Sequence, residues 1–467
     1  MHARPFRTSR PIRVAALATL LLAVGAPMAH AGGMMLHTRG VRPTAMAGAF
    51  VAGADDLNAL WFNPAGLVDL PKGDRQFLLD VAYVDQGVSY TRIDSGMNPQ
   101  PTVDSSSPGL PIPTLGVGFR LGEHLVAAAG VYAPYSGLGR YPEDGPQRYS
   151  LVDLTETALI IFEGSVAYRV SDKLRVGAGL QNMVTRMAST VVFSGCPGQT
   201  VCAPEDPEFD ALGKVKMLDL FNPSGVFGVQ FDASKKVHLG ASFQLPFRVG
   251  GTGSFETRLP SSGFYDGATV VGNKADVSFW LPPILRIGVE VQPAKRWRAE
   301  LTATTEMWKV QDKMSITPRN VRIEGAPGVG TYELGPLEIP RHYKNSYSVS
   351  LGLEGQPVAA LPLDIRAGAA YETSAAPPAY LSVLTVDGPK TLLAGGVGWH
   401  HGRWRADATV AVVHMSDVTV SPDVGKSPQL TPVRDDPNDP NPSKTYVNWG
   451  DYSSSWIVAG VGMQTAF

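Results

Sequence analysis

The stretch Arg296–Trp308 reads RWRAELTATTEMW, and its two parities differ in kind. Trp297, Ala299, Leu301, Ala303, Thr305 and Met307 share one face, while Arg298, Glu300, Thr302, Thr304 and Glu306 share the other. Side chains alternate across a strand, so the pattern predicts a strand with one apolar and one polar face. Residues 285–292 set Leu285, Ile287, Val289 and Val291 against Arg286, Glu290 and Gln292. Residues 347–354 set Tyr347, Val349, Leu351 and Leu353 against Ser348, Ser350 and Glu354. A soluble sandwich would alternate as well. The connections separate the two cases. Short polar turns (SDK at 171–173, ASKK at 233–236, PAKR at 293–296, HHGR at 400–403) alternate with long Pro-, Gly-, Asp- and Ser-rich connectors such as 93–112, 195–213, 251–272, 315–340 and 421–450. Short turns at one end and long loops at the other are the mark of an outer-membrane barrel.

Fourteen strands are predicted, at 75–92, 113–121, 124–132, 151–170, 174–194, 214–232, 237–250, 274–292, 297–314, 341–355, 363–373, 391–400, 404–419 and 452–467. The number is even, as single-chain bacterial barrels require, and closure leaves no edge strand exposed. Tyr168, Phe231, Trp297, Trp399 and Trp404 flank the short turns, where an interfacial girdle belongs. The chain ends in a strand with Ile457, Ala459, Val461, Met463, Thr465 and Phe467 on one face, an ending that resembles outer-membrane barrels in general. The expected fold is all-β: a transmembrane antiparallel barrel of about fourteen strands.

The amino terminus adds a destination. Arg4, Arg7, Arg10 and Arg13 precede an apolar run, Val14–Ala26, and small residues at Ala29 and Ala31. That order predicts a secretory signal peptide over 1–31, too short to span a bilayer as a helix. Beyond it no run of 18 apolar residues occurs, and charged residues are 18% of the chain, below the usual ~25%. A net charge of −2 suggests no nucleic-acid partner. Cys196 and Cys202, the two cysteines, are expected to form a disulfide across an exposed loop of an exported chain, with free thiols as the alternative.

Residues 32–74 do not alternate. They are rich in small side chains, look helical around Thr44–Ala54, and contain DDLNALWFNPAGL from Asp55 to Leu67. A fourteen-stranded barrel leaves a lumen that must be filled if it is not to leak. This segment is the expected plug, ahead of a barrel over 75–467. Pro64 pushes Asn63 towards an extended backbone, and Ala65 and Gly66 allow close approach to the wall.

GAFVAGADDLNALWFNPAGL resembles the amino-terminal hatch motif of the FadL/TodX family, outer-membrane channels for long-chain fatty acids and other hydrophobic compounds. The matching core is Asn63, Pro64 and Ala65 with the preceding Ala54-Asp55-Asp56, and Gly66 completes the motif. Residues 131–150 and 285–308 are also similar to the family, although VYAPYSGLGRY departs from its commonest form there. The resemblance implies a fourteen-stranded barrel with a lumenal hatch, acting as a monomer in outer-membrane lipid. It implies passive uptake: capture at an outer groove, transfer to a site beside the hatch, hatch rearrangement, and sideways exit at a kinked third strand. Phe50, Leu60, Trp61 and Phe62 are the candidate ligand path, with packing of the plug against the wall as the other reading. Gly130 and Pro134 are the candidate kink, unless Pro134 merely begins the outer loop.

A fatty-acid carboxylate would require a cation. Arg39, Arg42, Arg286 and Arg298 are the candidates, against paired-charge roles with Glu290, Glu300 and Glu306. No cofactor or metal is expected: the acidic 434–444 stretch lacks the spacing of an EF-hand. An enzyme is not expected either, since the histidines are scattered, His414 and Ser416 are a weak pair, and no nucleophile motif is present. Long-chain fatty acids are the expected cargo. The alternatives are monoaromatic hydrocarbons by the same route, or small polar solutes through a general porin; an adhesin or purely structural barrel is a more distant one.

Overall fold

A computed structural model describes residues 40–70, 75–136, 139–198, 201–203, 205–326, 330–433 and 444–467. The expected signal peptide, Arg39 and residues 434–443 of the acidic stretch lie outside them. Fourteen antiparallel strands form a closed ring: β1 (Arg75–Arg92), β2 (Leu110–Arg120), β3 (Leu125–Ser136), β4 (Ala158–Arg169), β5 (Leu174–Ser194), β6 (Asp210–Ser234), β7 (Val237–Gln244), β8 (Ile284–Ala294), β9 (Trp297–Glu306), β10 (Ser346–Gly355), β11 (Leu363–Glu372), β12 (Lys390–His401), β13 (Trp404–Val420) and β14 (Gly450–Ala466). Closure comes from β1 against β14, paired without interruption from Gln76↔Ala466 to Arg92↔Gly450.

The burial pattern is that of a protein turned inside out. Along β10, Tyr347, Val349, Leu351 and Leu353 point outward and are exposed, while Ser346, Ser350, Gly352 and Glu354 are buried inside. On β9, Glu300 and Thr302 are buried and Leu301 is exposed. Lipid solvates the first set and the lumen the second. Tyr168, Phe231, Trp399 and Trp404 are exposed beside the short turns, at the level of the lower interface. Trp297 is half-buried, its ring lying over the position where Gly355 has no side chain.

Five predicted boundaries shift by five residues or more, one of them in the strand expected over 297–314, which ends at Glu306 before a 3-10 turn at Trp308–Val310. The strand expected over 151–170 begins only at Ala158, because Asp153 instead bridges Arg140 and Thr190 in the outer loop. The strand expected over 237–250 breaks at Leu245–Pro246 and resumes over Phe247–Arg258. That over 274–292 breaks at Pro282–Pro283, between Lys274–Leu281 and β8. In both, proline has no N–H to give to the ladder. The strand expected over 341–355 starts at Ser346. Outside the barrel wall, Thr269–Val271, Arg322–Ala326 and Gly330–Glu333 make a small sheet in the outer loops.

Residues 40–70 are buried almost throughout and pack within the ring. They form α1 (Val41–Ala45), α2 (Ala59–Phe62) and a 3-10 turn (Pro64–Asp69). The helix expected around Thr44–Ala54 is therefore shorter and earlier. Ala47 at φ 53° and Gly48 at φ 83° stop it, since a left-handed backbone cannot continue a right-handed helix. The wall makes room for this segment with glycine. A Cβ on Gly240 would lie 2.5 Å from the Val51 carbonyl oxygen, one on Gly352 2.8 Å from the Met46 Cβ, and one on Gly396 2.6 Å from the Ala45 Cβ. Side chains there would displace the segment, so three strands are bare where it touches them.

Candidate functional site

The N-terminal segment is gripped through its backbone. Successive N–H groups of Val51, Ala52 and Gly53 donate to the Glu300 carboxylate at 2.5, 3.0 and 2.8 Å. Gln230 Nε2 donates to the carbonyls of Val51 and Ala52, each at 3.1 Å. Val41 N–H donates to Asp80 at 2.8 Å, and Ser242 Oγ to the Phe62 carbonyl at 2.6 Å. Buried backbone groups need such partners, and charged acceptors bind them tightest.

Asn63 is the junction of this grip. Its backbone is extended, as the following proline demands. Nδ2 donates to Val51 O at 2.9 Å and to the wall at Val229 O at 3.0 Å, while Oδ1 accepts from Ala65 N–H at 3.2 Å. Pro64, Ala65 and Gly66 are buried in the turn that follows. Replacing Asn63 and Pro64 together with alanine is expected to loosen the segment by about 1–3 kcal/mol, leaving a folded barrel whose transport is impaired or deregulated. Heat-modifiable migration on gels reads the barrel, and solute uptake reads the segment; unchanged uptake would remove the motif from the mechanism.

A buried charge cluster ties the segment to the far wall. Glu354 on β10 accepts from Arg42 Nη2 at 2.7 Å and Nε at 2.8 Å, and from Arg366 Nε at 2.5 Å. Arg298 Nε lies 3.0 Å from it and Arg405 Nη2 3.7 Å. Arg42 also meets Asp55 at 2.5 Å and Asp56 at 3.0 Å. Arg298 reaches Gly53 O at 2.9 Å and Glu290 at 3.2 Å. Two of the candidate carboxylate partners, Arg42 and Arg298, are thus already committed to acids.

Arg286 is different. It is buried, at 3% exposure, and neither Nη1 nor Nη2 has a hydrogen-bond partner among the described residues. Its guanidinium lies 4.7 Å from the centroid of the Trp61 ring. Trp61 packs edge-on against Tyr132 of β3 at 5.5 Å, and Phe62 edge-on against Phe50 at 5.8 Å. Tyr132 and Gln181, the latter at 2.9 Å, hold Glu163, which also accepts from Ser165 at 2.5 Å. Leu60 sits over Gly130, where a Cβ would lie 2.6 Å from its Cδ1. Leu60 and Trp61 therefore lie against the inner face of β3, with Arg286 over the Trp61 ring.

Close-packed apolar side chains continue outward from there. Trp61 and Phe62 belong to one cluster of buried side chains that includes Met183, Met187 and Phe193 along β5 and Met217 on β6. Methionine fills irregular space and adapts to varied apolar contacts. Ala211 and Leu259 of that packing also line a groove of about 680 Å³ among the outer loops, together with Val192 and Leu212 of a separate cluster and with Arg148 and Arg258. Each arginine has an acid beside it, Asp210 at 2.7 Å and Glu143. Nearby, Cys196 and Cys202 are joined by a disulfide, their Cα atoms 5.9 Å apart.

On β3, Gly130 stays in register with Gly116 and Glu163. The irregularity falls at Ala133–Pro134, where pairing to β4 slips between Tyr132 and Tyr135. Pairing of β2 to β3 stops at Thr114↔Tyr132, whereas pairing of β1 to β2 runs on to Val84↔Leu110. The wall is one ladder short over Leu110–Pro113.

The family model for the outer membrane protein transport proteins (OMPP1/FadL/TodX) matches residues 22–435. The chain belongs to that family. FadL/TodX proteins are Gram-negative outer-membrane transport channels for hydrophobic compounds, and not enzymes. Among solved structures, a Pseudomonas aeruginosa FadL homologue shares the fold with TM-score 0.74 and 16% identity, over 93% of this chain and 100% of that one. The Pseudomonas putida toluene transporter TodX matches with TM-score 0.63 and 17% identity, over 92% and 99%. The Ralstonia pickettii toluene transporter TbuX matches with 0.61 and 18%, over 92% and 99%. No protein with a curated description matches the sequence.

Of the FadL/TodX candidates marked in the sequence, the fold brings Trp61 and Arg286 together, whereas Phe50, packed on Phe62, lies beneath Arg42 at 5.1 Å and Arg298 at 5.9 Å, next to the charge cluster. What sequence reasoning missed are the acceptors. Glu300 was expected to pair with arginine and instead holds three backbone N–H groups. Glu354 carried the right signal, a charge on the inward parity of β10, but nothing local marked it as the centre of four arginines.

Proposed function

We propose that this FadL/TodX chain takes up long-chain carboxylic acids. The observation that carries the reading is Arg286: a buried guanidinium over the Trp61 ring, both terminal nitrogens without a hydrogen-bond partner among the described residues, beside a methionine-rich apolar cluster. An unpaired buried cation is costly, and a bidentate carboxylate is the ligand that relieves it. The alkyl chain lies along the methionine-rich cluster, gaining ~25 cal/mol for each Å² removed from water. The acid is captured in the outer groove, moves inward to Arg286, and residues 40–70 act as a hatch that must shift before it proceeds. Exit is sideways at the unpaired stretch beside Pro134, into the bilayer. No energy source is required, because the solute moves from water to lipid.

Monoaromatic hydrocarbons are the second reading, favoured by the names of the similar toluene transporters. A hydrocarbon offers Arg286 no hydrogen-bond acceptor, only a π-face, which Trp61 already supplies. The deciding measurement is uptake of radiolabelled oleate, toluene and a small polar sugar by Gram-negative cells that lack a transporter of this type and express this chain. Oleate entering above the empty-vector rate, with sugar unchanged, is expected. Toluene without oleate would make the cargo aromatic. Sugar without either apolar solute would make the chain a porin and end the hatch argument.

A further inference from the structure

The outer surface of the wall has a site of its own, independent of the transport path. Up β10 the outward side chains read Leu353, Leu351, Val349 and Tyr347, from 39 to 55% exposed, and Lys344 follows, also exposed. On the neighbouring strand Leu301 is followed by Lys309, exposed in the turn beyond β9. Trp297 and Gly355 are paired at the lower end. From there to Tyr347 is roughly 20 Å of barrel height, at ~3.3 Å per residue and a ~40° tilt. An apolar band ~25 Å tall therefore ends just above Tyr347, with the two lysines at its upper margin.

Between them runs a groove of about 610 Å³, lined by Lys309, Asp312, His342, Lys344, Asn345 and Tyr347 among others. Asp312 is occupied by His342 Nδ1 at 2.6 Å. Lys309 and Lys344 have no ion pair among the described residues. Other lysines of the outer strands do: Lys214 with Glu156, Lys216 with Glu256, Lys313 with Glu338. Trp280, tied to the same turn by its N–H to Gln311 Oε1 at 2.7 Å, carries Arg248 at 5.9 Å from its ring. An aliphatic column, an aromatic collar and unpaired cations in a groove, in that order, match a lipid whose chains lie in the bilayer and whose headgroup is anionic.

We infer that this groove binds a phosphorylated glycolipid of the outer leaflet, of lipid A type. Its phosphate sits between Lys309 and Lys344, and an acyl chain lies on Val349 and Leu351. The loops above are long and the turns below short, so the groove faces the leaflet where that glycolipid resides.

The test titrates purified barrel with lipid A, with phosphatidylglycerol and with inorganic phosphate, read by native mass spectrometry. Three proteins are compared: wild type, Lys309→Ser/Lys344→Ser, and Lys235→Ser/Lys236→Ser, which removes two exposed lysines from a lower turn. All three should keep heat-modifiable migration, because these side chains are exposed. The outer double variant is expected to bind lipid A roughly thirtyfold more weakly, at ~1 kcal/mol per lysine near a lipid surface, and the lower one as wild type. Equal binding by the outer variant, an equal loss in the lower one, or equal affinity for phosphatidylglycerol would overturn the site. Displacement of lipid A by millimolar inorganic phosphate would reduce it to a phosphate site and overturn it too.

Discussion

Replacing Arg286 with methionine is expected to weaken oleate binding thirty- to a hundredfold while leaving the barrel as stable as before, or more so. The two halves of that result have one cause. Arg286 is 3% exposed and its Nη1 and Nη2 have no hydrogen-bond partner among the described residues, so in the empty protein its charge is met only by the Trp61 ring and by Glu163 and Glu306 without a direct ion pair. An isovolumetric apolar side chain removes that buried charge and keeps the packing on Trp61. With a carboxylate bound, the same guanidinium makes charge-assisted bonds worth about 2–3 kcal/mol, which methionine forfeits. Ligand titration of the purified barrel gives the first half and thermal unfolding the second. Toluene uptake, if any, should be unaffected. A variant that binds oleate normally would sink the carboxylate reading, and one that unfolds easily would make Arg286 a structural residue.

Substituting Glu354 with alanine should have the opposite character: little effect on ligand chemistry and a large one on the hatch. One carboxylate serves Arg42 from the N-terminal segment and Arg298, Arg366 and Arg405 from the wall. Removing it leaves buried guanidinium groups facing one another, with Asp55, Asp56, Glu290, Asp364 and Asp407 as remaining acids nearby. Breaking a buried pair in this way costs about 3–5 kcal/mol. The strands are held by ladders that do not involve Glu354's side chain, so the loss falls on the seating of residues 40–70. Planar-bilayer recordings should then show frequent ion-conducting openings that wild type lacks, and cells should become sensitive to bulky polar antibiotics. A silent E354A channel with wild-type uptake would mean that the Glu300 grip and the Asn63 junction hold the hatch without the charge cluster.

These two residues show how far the sequence reaches. Arg42, Arg286 and Arg298 look alike in a single sequence: each is a cation beside small or apolar neighbours, bound for the lumen. What distinguishes them is which acids arrive from other strands. Glu354 lies 312 residues from Arg42, and Glu300 almost 250 from the N–H groups it holds. Contacts that distant depend on strand order and register, which set opposite side chains by a property of the whole ring. The glycines that admit residues 40–70 are equally mute in sequence, where Gly240, Gly352 and Gly396 read only as breaks in an alternating strand.

The sequence by itself determined the fourteen strands, their inward and outward faces, the short and long connections, and the Asn63–Pro64 turn. Each of these follows from chemistry within a few residues: side-chain alternation, proline's missing N–H, the polarity of a turn. The tertiary structure alone decided which arginine lacks a direct ion pair, which acids hold the N-terminal segment, and where pairing of β2 to β3 stops. The physical reason is that a buried charge takes its meaning from its counter-ion, and in this closed barrel the counter-ion is supplied by a strand hundreds of residues away.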